Sequence, residues 1–466
     1  MSQGPPLRVP LIADPENRGL TSDKDASLVN GYIEKAPNGE LWCYKRPGYH
    51  LIKTIAAGQL GFGLTFYNGL IYCVFGNKFY SYNSLIDVIT TIGTVTVQEY
   101  DFEPFLGALP GLFIHGTSEA YTLGGIPGVF TQVTDADYPV NTVPGCVYID
   151  GTTYVMTIDA HIQGSALNDP TSWDPLNSIL AQIEPDAGVA IAKQLNYLIA
   201  FKEYSVEVFY DAANAAGSPL GRIEAAKLSK GCAAAYSIIN IDGDLFWITR
   251  SKKGGYGVSR LASLKEETIS TPGVEKLLQS VDMTRVRGFA LHLGGHKFYC
   301  LSCFNNENSL ATYVYDLGEK TWYSWKDPGG GALQMVRGTS DGVAPVLQVR
   351  VTGEIYTCGI EYYQDHDGLI QFDLITPEWD GGSRFGKMVN LMDIAADQVT
   401  GSNLQCRVSD DNYQTWSNWR TFDLGAIRPM LDEWGTFYKR AHHFRHEQNL
   451  PLRLKAVDLH VDLGTL

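Results

Sequence analysis

The chain carries eight cysteines and ten histidines, the residue types most able to bind metal or do redox chemistry, so their spacing is the first thing to weigh. Cys300-Leu301-Ser302-Cys303 is a CxxC pair. A structural zinc site needs a second pair or nearby histidines, and none lies at a suitable spacing. In a strand, positions three apart face opposite sides, so the two thiols would diverge. His442, His443 and His446 would bring two imidazoles together on a helix, but His443, Phe444 and Arg445 fill the positions where a zincin carries its Glu. Gly58-Gln59-Leu60-Gly61-Phe62-Gly63 is glycine-rich without a following amphipathic helix, which argues against a phosphate cradle. There is no GxSxG nucleophile signal and no carboxylate pair that stands apart. The expectation is no catalytic residue, no metal and no cofactor, with the cysteines as buried free thiols of a reducing compartment.

One constellation does carry structural information. Ser409-Asp410-Asp411-Asn412-Tyr413-Gln414-Thr415-Trp416 is close to an Asp-box, with Tyr413 where the box has Gly. Asp411 should satisfy turn N–H groups, with Trp416 packed beneath.

The elements around these residues are hairpins. Apolar strands flank Asn68-Gly69, Asp150-Gly151, Asp242-Gly243 and Gly294-Gly295, and a further turn falls near Thr352-Gly353. Such pairs suit type I′ turns, so Gly69, Gly151 and Gly243 are expected at positive φ. Weaker copies cover 109–114 and 191–200. The steps of roughly 40 to 58 residues match propeller blades of about four strands. Aromatics at 12%, 48 Gly and 21 Pro fit a turn-rich all-β chain. The best short helix candidate is 274–281. The predicted fold is all-β, a β-propeller-like domain of about seven irregular blades plus a C-terminal β-sandwich. Residues 1–50 form an N-terminal arm and strand, 51–362 the propeller-like domain and 363–466 the sandwich, to which the N-terminal strand contributes. Val457 to Leu463 alternates strictly, a strand with one wet face.

The formal charge of −15 argues against a general nucleic-acid binder. No apolar run approaches the roughly 20 residues that span a membrane, and the N-terminus does not read as a signal peptide. The most basic stretch is Lys439-Arg440-Ala441-His442-His443-Phe444-Arg445-His446, with Arg453 beyond it.

Several short motifs in shared order resemble the packaged-DNA stabilisation proteins, or tail hub and nozzle proteins, of short-tailed bacteriophages. They are Val29-Asn30 with Arg46-Pro47-Gly48, Thr171-Ser172-Trp173 with Glu184-Pro185-Asp186-Ala187-Gly188-Val189, and the strand 201–209 followed by Lys230-Gly231. The hairpin 409–416 and the basic stretch before the last strand fit the C-terminal part. The resemblance implies a structural virion protein made in the host cytoplasm. It implies a ring of six subunits that continues and closes the DNA exit channel, retains packaged DNA and carries tail fibres, spikes or needle. The expected partners are its own copies, the portal-adaptor protein, those fibre, spike or needle proteins, and double-stranded DNA that passes without sequence-specific binding. Net negative charge suits such a conduit, since carboxylates repel phosphate.

Within that reading Lys439, Arg440, Arg445 and Arg453 have two possible roles. They form a solvated face balanced by Asp432, Glu433 and Glu447, or a docking surface for a neighbouring subunit or the adaptor ring. The alternative function is a carbohydrate-binding or sialidase-like β-propeller, which predicts clustered arginines and a Tyr–Glu pair at the propeller centre.

Overall fold

The computed structural model describes residues 6–11, 26–36, 39–107, 110–124, 128–214, 216–305, 309–366 and 368–464. Blade 1 comprises Gly61–Tyr67, Leu70–Phe75, Lys78–Asn83 and Val88–Thr94. Blade 2 comprises Tyr100–Phe105, Gly111–Gly116, Ala120–Gly124 and Val129–Gln132. Blade 3 comprises Val147–Ile149, Thr152–Met156, His161–Ala166 and Asp169–Leu180, and blade 4 Gly188–Gln194, Tyr197–Lys202, Val206–Asp211 and Leu220–Arg222. Blade 5 has its inner strand broken into Gly231–Cys232 and Ile239–Ile241, followed by Asp244–Arg250, Tyr256–Ala262 and Lys265–Thr268. Blade 6 comprises Arg287–Leu293, His296–Phe304, Ser309–Asp316 and Thr321–Trp325. Blade 7 takes Met335–Ser340, Pro345–Val349 and Glu354–Gly359, and its fourth strand, Gly48–Thr54, comes from the other end of the chain.

Six of these are separate sheets, and blade 6 is the near part of a nine-stranded one. Each inner strand touches the next blade, and Gly61–Tyr67 touches both Tyr100–Phe105 and Met335–Ser340, which closes the ring. Middle strands are apolar on both faces because each blade lies between two others. Leu112, Phe113 and Ile114 are all fully buried, and Phe79 packs against Phe102 and Phe130 between blades 1 and 2.

The turn pairs adopt positive φ in both positions: Asn68 and Gly69 at 48° and 81°, Asp150 and Gly151 at 46° and 95°, Asp242 and Gly243 at 52° and 91°. Gly294-Gly295 does the same. Thr352-Gly353 is a different turn, joining the second and third strands of its blade. The turn equivalent to the others lies near residue 342, between Met335–Ser340 and Pro345–Val349. That turn, and not Thr352-Gly353, belongs with the others in the hairpin series. The weak copy at 109–114 starts on Leu109, outside the described residues, and its remainder runs into the strand Gly111–Gly116. The other weak copy turns at Leu195, also at positive φ. The short helix is Pro272–Leu278, with Pro272 in its first turn and Thr271 Oγ1 accepting from Val274 N.

The C-terminal sandwich consists of two sheets that take in N-terminal strands. In the first, blade 6 continues through Ser27–Val29 into Phe372–Ile375, Ala441–His446, Asn403–Ser409 and Arg420–Asp423. The second orders Gly31–Lys35, Leu41–Lys45, Arg453–Leu463, Lys387–Ala396 and Met430–Asp432, with Leu7–Arg8 and Thr436–Phe437 paired alongside. One apolar core runs from Phe289, Leu291 and Trp325 of blade 6 into Phe372, Phe444, Leu454 and Val457 of the sandwich.

Candidate functional site

Glu99 lies immediately before the inner strand of blade 2. Around it stand Arg287, the first residue of blade 6, and Arg337 and Arg350 of blade 7, at 2.8, 3.5 and 2.6 Å. Asp101 adds a contact to Arg337 at 3.4 Å. Tyr236 of blade 5 lies under two of the guanidinium groups, 4.6 Å from Arg287 and 4.8 Å from Arg337, and Phe62 of blade 1 supports Arg350. Blades 2 and 6 are three steps apart around the ring, so their inner-strand residues meet only by reaching across the axis. Burial opposes ionisation of Glu99, but Arg337, Arg287 and Arg350 outweigh it and hold its carboxyl below the usual range. Three guanidiniums on one carboxylate is the chemistry that recognises a carboxylate ligand. Here the chain's own Glu99 fills that place. The clustered arginines with Tyr and Glu, foreseen only for a sialidase-like chain, are thus present as Arg287, Arg337, Arg350, Tyr236 and Glu99. Glu99 is consumed as the arginines' counter-ion, and Tyr236 stacks on guanidinium faces. The sequence reading named none of these five.

The motifs that the sequence did single out build two buried charge knots. Arg46 donates to both carboxylate oxygens of Asp365 at 2.8 and 2.6 Å, to Asn30 Oδ1 at 2.9 Å, and to the carbonyls of Pro47 and Lys326. It fastens the N-terminal strands to the end of blade 6. In blade 4, buried Lys202 meets Asp186 at 3.0 Å and Glu207 at 2.9 Å, and Arg222 takes the other oxygen of Glu207. Asp186 also accepts from Tyr204 N and Ser205 Oγ. Gly231 belongs to the same unit, since a Cβ there would lie 2.3 Å from Lys202 O. Trp173 is buried, with its indole N–H on Pro170 O.

The basic C-terminal stretch is paired within the chain. Arg440 is buried and bidentate on Asp410, and also donates to Trp434 O. Lys439 meets Glu378 at 2.7 Å, Arg445 meets Asp373 at 2.8 Å, and Arg453 meets Asp397 at 2.6 Å. Of the three expected counter-charges only Glu447 takes part, 3.7 Å from Arg445, while Asp432 faces Arg420. Arg440 is therefore a core residue, at the head of a strand covered on both faces, where Ala441, His442, His443, Phe444 and His446 are all buried.

The histidines lie on this strand, not on a helix. His442 is pulled down to about 3 by burial and then by Arg440, and His446 to about 3 by burial and then by Lys45. His443 packs edge-on to Trp416 and Trp419 and meets Asp373 at 2.7 Å. In the Asp-box loop Asp411 accepts from Gln414 N, Thr415 N and Ser409 Oγ, and Tyr413 takes the glycine position at φ 60°. Cys300 and Cys303 are buried in different apolar clusters, on opposite faces of their strand.

A family described as Bacteriophage P22 Gp10, beta-propeller, matches residues 28–320. The chain belongs to that family. It is a structural protein of the phage tail that stabilises packaged DNA; the motifs between 29 and 231 fall within the matched span, and the hairpin 409–416 and the basic stretch fall beyond it. No curated protein matches the chain. Among solved structures, the crystal structure of the N-terminal domain of Nup159 is similar with a TM-score of 0.44 and 10% identity, covering 71% of this chain and 98% of that one. No described helix is long and apolar enough to cross a membrane.

Proposed function

We propose that the chain is one subunit of a six-membered tail ring, below the portal adaptor, that continues and closes the DNA exit channel and anchors fibres or spikes. The DNA runs between copies and not through a propeller. The observation that carries this reading is the Glu99 cluster: ion pairs of 2.6 to 3.5 Å bridge the propeller axis, leaving no passage for a duplex. A conduit must then be lined by the outer surfaces of several copies, and a net charge of −15 per copy keeps phosphate from adhering. At the C-terminal end, Lys439 is the most open of the four cations expected to dock, with 46% of its side chain exposed. It remains available to a neighbour or adaptor, whereas Arg440 does not.

Imaging of the purified protein and of tails tests the ring. Six-fold particles with a central opening are expected, and a stable monomer at every concentration, with no such ring in tails, would sink the reading. The arginine cluster gives a glycan-directed function its one point of support. A sugar array and glycosidase assay address it, with no binding and no turnover expected.

A further inference from the structure

The blade 4 knot differs from the Arg46 knot in the kind of cation it holds. A guanidinium stays protonated and does not attack a carboxyl group, whereas a lysine amine becomes a nucleophile once it gives up a proton. The side chains of Lys202 and Glu207 are fully buried, and that of Asp186 is 5% exposed. Lys202 Nζ stands 3.0 Å from Asp186 Oδ1 and 2.9 Å from Glu207 Oε1. The strand neighbours Phe201, Val206 and Val208 are buried as well. Lys202 also donates to the carbonyls of Ala181 and Glu184, which holds the amine against the linker that carries Asp186.

The carboxyl group of Asp186 is equally fixed. Its Oδ2 accepts from Tyr204 N at 2.7 Å and from Ser205 Oγ at 3.2 Å. Such donors stabilise negative charge as it develops on the oxygen they face. Glu207 Oε1 is in reach of the amine as a proton acceptor, and Ile183 N holds it in place at 2.9 Å. The other oxygen of Glu207 has a cation of its own, Arg222, at 3.0 Å.

We propose that Lys202 and Asp186 condense to an amide, a covalent rivet between the linker 181–187 and the second strand of blade 4. The Nζ–Cγ bond forms and the Cγ–Oδ1 bond breaks. Glu207 takes a proton from Nζ and passes it to Oδ1, which leaves as water with two of the three ammonium protons. Oδ2 stays as the amide oxygen, still held by Tyr204 N. No oxidant or cofactor enters the balance. Holding amine and carboxyl in contact replaces an encounter in solution. The reaction also removes one cation and one anion from an interior where both are costly. Glu207 keeps Arg222 as its counter-ion, so the product strands no charge. The rivet keeps the passage from blade 3 to blade 4 from peeling off the blade.

The test is the intact mass of the full-length protein after denaturation, with fragments mapped after trypsin and chymotrypsin. The expected mass is that of the sequence less one water. Trypsin should fail to cut after Lys202, and a branched fragment should join Lys202 to Asp186. Lys202→Arg should keep the full mass, and Glu207→Gln should condense about a hundredfold more slowly. Where either variant fails to fold, the branched fragment of the native chain decides alone. Native protein at full mass, cut freely after Lys202, would overturn the proposal. So would water lost at an Asp-Gly step such as Asp150-Gly151, which closes to a cyclic imide of the same mass. A folded Glu207→Gln protein that condenses at the native rate would overturn the proton transfer through Glu207.

Discussion

The Arg46 knot and the Glu99 cluster are both buried assemblies of guanidinium and carboxylate, and they are built on opposite principles. All five N–H groups of Arg46 are spent on Asp365, Asn30 and two carbonyls. One cation meets one anion, with Arg46 fully buried and Asp365 nearly so. The axial cluster sets three cations, Arg287, Arg337 and Arg350, against Glu99 and Asp101, and borrows the faces of Tyr236 and Phe62 for the excess. The first arrangement is saturated and rigid. The second is held in balance by one residue, Glu99, that every arginine shares.

The largest effect should come from the saturated knot. Arg46→Ala strands Asp365 without its partner and should cost about 3–5 kcal/mol, the range for breaking a buried pair. Thermal melting of the variant checks this, and a loss that salt does not alter is expected. Glu99→Gln should cost about 2 kcal/mol, because its arginines keep some solvent and some π contact. Its loss should shrink as salt rises and screens the arginines from one another. Equal salt responses for the two variants would erase the distinction drawn here.

pH separates the regions further. Glu99 has a lowered folded pKa, so its contribution is present above the ordinary carboxyl range and is lost only as pH falls through that lower value. His442 and His446 are bases depressed to about 3. The unfolded chain takes up their protons first, so stability falls as pH drops from about 6.5 towards 3, by at most ~1.4 kcal/mol per pH unit for each. The sandwich should therefore weaken in mild acid before the propeller axis does. His442→Phe should flatten the acid side of the stability profile by one proton, measured by melting across pH. The smallest effect is local: Gly69→Ala, at φ 81° with open space around it, should cost about 1 kcal/mol.

What was legible in the sequence follows from how local the cause is. Asn-Gly and Asp-Gly pairs mark hairpins because few other residues tolerate two successive positive φ values. The motif residues around Arg46 and Lys202 stood out as ordered short words, and each word gathers into one knot. Glu99 and its arginines share no word. Glu99 and Arg287 stand at the starts of inner strands, Arg337 lies within another and Arg350 follows a second strand, and the one available hint was the 50-residue step from Arg287 to Arg337. The basic stretch misled because composition does not tell that both faces of the strand Ala441–His446 are covered, which buries Arg440 and the histidines with it. The placement of Ser27–Val29 between Thr321–Trp325 and Phe372–Ile375 was equally hidden, since its partners lie some 300 residues away.

Those late pairings bear on how the chain is made. Strand Gly48–Thr54 can pair only after Glu354–Gly359 has been synthesised. Ser27–Val29 waits longer, for Phe372–Ile375. A nascent chain thus emerges with its first strands unpaired while six blades assemble behind them, and blade 7 stays open at one edge until those early strands return. Contacts of such sequence separation form slowly, and an open edge invites pairing with other chains. Closure of the propeller waits for residues near 359, so a chain terminated before them leaves blade 7 without its third strand and the N-terminal strand Gly48–Thr54 without its partner.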